Sequence, residues 1–142
     1  MISTGHFHPM LVHFPIALVS IGFIAAIASL VFKKEEWISK SSFYLLIIGT
    51  FSAFAALLAG VLFTSDMTGA AAEVQETHEL FAWITLSLLI ATSALTIFQA
   101  RQNKKNLTLK WLAFVMYGLA AIAVSITGFY GGTLVFNYMM PL

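Results

Sequence analysis

Residues 9–32 read PMLVHFPIALVSIGFIAAIASLVF, twenty-four positions without one Asp, Glu, Lys or Arg. A hydrocarbon core ~30 Å thick is crossed by about 20 helical residues, so this stretch alone is long enough to span a bilayer. Three further apolar stretches follow at Ser42–Thr64, Leu80–Ala100 and Leu109–Tyr130. With 60% hydrophobic and only 9% charged residues, at a mean hydropathy of +0.92, the soluble globular class is excluded. Backbone groups in lipid must be satisfied within the segment, and segments of this length do so as helices. The expectation is an all-α integral membrane four-helix bundle. Its longest polar stretch, Ser65–Glu79, is too short for a soluble domain, so residues 1–142 read as one domain.

The cations set an expected orientation. Lys33, Lys34 and Lys40 lie between the first two segments, and Arg101, Lys104, Lys105 and Lys110 between the last two. The positive-inside rule places both loops in the cytoplasm. Both termini and the acidic connection carrying Asp66, Glu73, Glu76 and Glu79 then fall on the outer side. The start of the chain lacks the basic opening and cleavage site of a signal peptide, so the first segment is expected to remain in the mature protein. The expected location is a bacterial cytoplasmic (inner) membrane.

All four histidines thread to that outer end: His6, His8 and His13 around the start of the first segment, His78 before the third. Ionisable groups at membrane depth are costly and point to function. Pro9 suits the first turn of a helix, which puts His8 at the N-cap and His6 and His8 on a short external arm. Ala70–Glu79 is rich in helix formers, so the third helix is expected to begin outside the bilayer, bringing His78 to the depth of His13. Two imidazoles on separate helices are what a b-type haem requires. His13 and His78 are therefore the expected axial ligands. A copper or zinc site using His6, His8, His13 and His78 is the rival, with Met139 and Met140 as soft donors for Cu(I). A cofactor-free structural subunit is the third reading.

Small residues recur at Gly22 and Ala26, at Ser52, Ala56 and Gly60, and at Ser125, Gly128 and Gly132, spacings that let helices approach closely in lipid. Gly60 and Gly128, near the outer helix ends, would also leave room beside a flat cofactor. Absence of cysteine excludes c-type haem attachment, iron–sulfur clusters and thiol catalysis. No nucleotide-binding fingerprint, nucleophile elbow or internal repeat is visible. Ala82 stands where a second histidine would complete a metalloprotease motif begun by His78-Glu79. No basic patch favours nucleic acid. The acidic residues read as solvated charges near an exposed helix start. The expected role is electron transfer or service as a respiratory subunit rather than stand-alone catalysis.

The string HPMLVHFPIAL, His8 to Leu18, resembles a bacterial family of small four-helix membrane proteins of unknown function that open with His-Pro-x-Leu-Val-His-Phe-Pro. The resemblance extends loosely over the chain, through Gly60 to Asp66 and His78, with Met67 where the family carries Trp. Only His8, His13 and His78 map onto the family's motif, without assigned roles. The resemblance implies a redox setting beside c-type cytochromes or other respiratory subunits.

Overall fold

The computed structural model describes residues 7–102 and 106–138, which form four helices: α1 (Phe7–Val31), α2 (Glu36–Phe63), α3 (Ala70–Arg101) and α4 (Leu107–Asn137). All four are long and apolar enough to cross a membrane. Among the described residues there is no strand. α1 packs along α2 and α3 along α4, while α1 with α4 and α2 with α3 touch less extensively. The bundle is thus two antiparallel hairpins side by side, with α1 and α3 on one diagonal.

Helix boundaries run past the apolar stretches wherever polar residues are themselves helix formers. α2 starts at Glu36, ahead of its expected start at Ser42, with Lys40 reaching Glu36 one turn back at 3.2 Å. α3 starts at Ala70, ten residues before Leu80, as the helix-forming run predicts. Gly69, at φ +67°, turns the chain into it through a conformation that favours glycine. α4 is capped by Asn106, whose side chain accepts from the Thr108 and Leu109 N–H groups at 2.9 and 3.3 Å.

The interior is made of small and medium side chains. Val19, Leu46, Leu89, Tyr117, Ala120 and Val124 form its centre, and Phe51, Val61, Phe129 and Phe136 point outward. Large apolar groups outside and small ones inside suit a bundle solvated by lipid, where close backbone approach drives association. Glycines receive side chains from neighbouring helices. Gly49 faces Val19, Gly118 faces Phe23 and Gly128 faces Ile16. Interior hydroxyls return to carbonyls of their own helix, as buried Thr85 does to Phe81, buried Thr92 to Leu88 and half-buried Thr96 to Thr92. Thr50 and Ser93 join α2 to α3 at 2.9 Å.

Candidate functional site: a paired-histidine cavity

One end of the bundle gathers the starts of α1 and α3 and the ends of α2 and α4. α1 begins at Phe7, so His8 lies inside its first turn rather than at an N-cap on an external arm. The reason is local: the first four N–H groups of a helix lack partners anyway, so the helix runs back through Pro9 at no cost in hydrogen bonds. His8 thereby points into the bundle. Its Nδ1 lies 2.9 Å from the Ala56 carbonyl of α2. His78, buried in the third turn of α3, makes the matching contact, Nδ1 to the Thr127 carbonyl of α4 at 2.9 Å.

The structure pairs His78 with His8, not with His13. The His8 and His78 rings have centroids 6.0 Å apart and planes at 88°. His13 is exposed and its Nδ1 turns back to the Pro9 carbonyl of its own helix at 2.6 Å. It lines the mouth of the same cavity but is not brought to His78. His6, Met139 and Met140 lie outside the described residues, as do Lys104 and Lys105.

A carbonyl oxygen can only accept, so both paired imidazoles carry their proton on Nδ1 and keep the lone pair on Nε2. Histidines that bind metals show this arrangement, one nitrogen held by a backbone carbonyl and the other free to ligate. Metal–imidazole bonds of ~2.0–2.1 Å put the ring centroids of two imidazoles on opposite sides of one metal roughly 6 Å apart.

The rings sit in a cavity of about 480 Å³ whose wall includes Pro9, Pro15, Leu57, Trp83 and Val124, with Asp66, Gln75 and Glu79 also lining it. Gln75 ties this region together, accepting from the Met67 N–H at 2.8 Å and donating to Glu79 at 3.0 Å. Gly60 and Gly128 both line the cavity, but their notches are filled from within the protein. A Cβ on Gly60 would lie 3.0 Å from His8 Cε1, and one on Gly128 would lie 2.9 Å from the Ile16 side chain. Gly131, not singled out by sequence, faces His78 in the same way, at 3.0 Å from Cε1. The signal was present in the near-equal separations of His8 from Gly60 and of His78 from Gly131.

Among the described residues no three His, Asp or Glu side chains converge as a metal cluster. Two imidazoles suit a group that brings its own remaining ligands, as the four nitrogens of a porphyrin do.

Fold and site together define a small four-helix membrane protein with a paired-imidazole cavity near one end. The chain belongs to the family of predicted membrane proteins DUF2231, whose family model matches residues 5–141. Nothing among the curated proteins or the solved structures matches it.

Proposed function

We propose that the protein holds a b-type haem between His8 and His78 and serves as an electron-transfer subunit of a bacterial inner-membrane redox system. The observation that carries this reading is the imidazole pair, 6.0 Å between centroids with each Nδ1 committed to a backbone carbonyl. The donor chemistry fits: two neutral nitrogens from diagonal helices, a largely apolar wall, and a seam between hairpins that pack less tightly on each other than within themselves. Bound there, haem would supply one-electron chemistry between ferric and ferrous iron, with a c-type haem protein as the class of donor or acceptor. The chain's own part is to fix both imidazoles, exclude water and set the polarity around the iron.

Purified protein titrated with haemin in detergent tests this. A Soret band with reducible α and β bands at one haem per chain is expected. A protein that stays colourless overturns the haem assignment, and one copper or zinc per chain in the same preparation would give the pair to a metal instead.

A further inference from the structure

The two hairpins correspond position by position. A shift of 70 carries His8–Val31 onto His78–Arg101, and a shift of 71 carries all of α2, Glu36–Phe63, onto Leu107–Leu134 of α4. Burial follows the same register. The three buried residues of α1, Pro15, Val19 and Gly22, fall on Thr85, Leu89 and Thr92, all buried. Of the six buried residues of α2, Ser42, Leu46, Gly49 and Ala53 fall on Ala113, Tyr117, Ala120 and Val124, again all buried, while Ala56 and Ala59 fall on the half-buried Thr127 and Tyr130. Val19 and Leu89, related by this shift, are both fully enclosed. Side-chain identity is mostly lost between the halves. Where it survives, it includes His8 with His78 and Gly60 with Gly131.

Leu18 with Leu88, Ile27 with Ile97 and Phe43 with Phe114 are also retained, but the His8–His78 and Gly60–Gly131 pairs are the ones that meet in the site. In each half a histidine of the first helix, in the first turn of α1 and the third turn of α3, reaches a carbonyl of the second, Ala56 or Thr127, and the glycine four residues beyond that carbonyl lies against the same ring. Four residues is one helical turn, so carbonyl and glycine stack on one face. Both halves run in the same sense through the bundle, the arrangement of a parallel repeat about an axis along the membrane normal.

We infer that the chain is a tandem of two equivalent helical hairpins, and that Gly60 and Gly131 are matched positioning residues, each seating one histidine so that the two imidazoles meet across the repeat axis. The inference rests on the paired-imidazole reading of the site and is independent of which group binds there. A methyl at either glycine would press on an imidazole whose Nδ1 is already held, so the ring must leave its carbonyl or the helices must part. The two glycines should therefore act alike, each on its own histidine. Gly132, with nothing within 4 Å of its would-be Cβ, is the control.

The experiment is imidazole ¹⁵N NMR on the full-length protein in detergent, with His8 and His78 assigned by single glutamine substitutions. In the unsubstituted protein both rings should be in the Nδ1–H form, and an Nε2–H form at either overturns the inference without reliance on any glycine variant. Gly60→Ala should shift the His8 signals and leave those of His78, Gly131→Ala should do the reverse, and Gly132→Ala should move neither. Signals in Gly60→Ala and Gly131→Ala indistinguishable from those of Gly132→Ala would overturn it. Where haemin binds, each of the two variants should weaken it by a similar ~10–100-fold, the range for loss of a group that orients a ligating histidine. A loss confined to one variant would break the equivalence. Haemin that fails to bind while the NMR pattern holds removes the haem reading and leaves the positioning intact.

Discussion

His8 and His13 are five positions apart on one helix, and at 3.6 residues per turn that places them ~140° apart around it. Only one of them can face His78, and the cavity takes His8. Substituting His8→Ala or His78→Ala should therefore abolish haem binding as read by the Soret band, whereas His13→Ala should retain it. Loss in His13→Ala with retention in His8→Ala would restore the pairing expected from sequence. Ligation needs a neutral Nε2, so protons compete with the iron and bound haem should decline as pH is lowered, not raised. A second residue-scale prediction concerns Tyr117. Its hydroxyl is buried without a hydrogen-bond partner among the described residues, and a Cβ on Gly22 would collide with it and lie 2.9 Å from Leu45 Cβ. Gly22→Ala should destabilise by about 1–3 kcal/mol through overpacking. Adding Tyr117→Phe should recover part of that loss, since the phenol oxygen is gone while the Leu45 contact stays. Tyr117→Phe alone should be neutral or stabilise by ~1 kcal/mol. Apparent melting temperatures in one detergent give all three comparisons.

Elements differ in how far the sequence shows them. Asn106 is the plain case: its side chain caps α4 through two backbone N–H groups, and Asn106→Ala should cost about 1 kcal/mol, visible as a lowered melting temperature. The four helices were legible because apolar stretches of membrane length admit little else, and the early start of α3 at Ala70 was legible from its helix formers. The α2 and α4 ends were not. Hydropathy marks where lipid begins, whereas a helix continues through Glu36–Ser41 and on to Asn137 as long as its backbone bonds close. The candidate site was half legible. Histidine clustering pointed to the right end of the bundle, and His78 to one member of the pair. Sequence places His8 in the rival metal set and not in the haem pair, because Pro9 suits a helix start and so leaves His8 on an external arm. The repeat was invisible because what it preserves is burial and backbone register, with Val19 matched to Leu89 and Leu46 to Tyr117, rather than side-chain identity.

At the scale of the whole molecule, the paired histidines and the described cations occupy opposite ends. α1 and α3 start at the histidine end, while Lys33, Lys34 and Lys40 follow α1 and precede or enter α2 at the other. Because antiparallel hairpins return to the side they left, one measurement of sidedness decides where the site faces. The positive-inside rule predicts that the lysine loops are cytoplasmic and the histidine end is outer. The chain has no native cysteine to interfere, so single cysteines can be placed at Ser65, in the connection between α2 and α3, and at Ser39, in the first turn of α2. In intact cells a membrane-impermeant maleimide should label Ser65→Cys and spare Ser39→Cys until the membrane is opened. Such labelling would put the cavity mouth, with His13, Asp66 and Glu79, within reach of an outer-face electron carrier. The reverse pattern would turn the whole bundle over, move the paired imidazoles to the cytoplasmic face, and require an electron partner from that side.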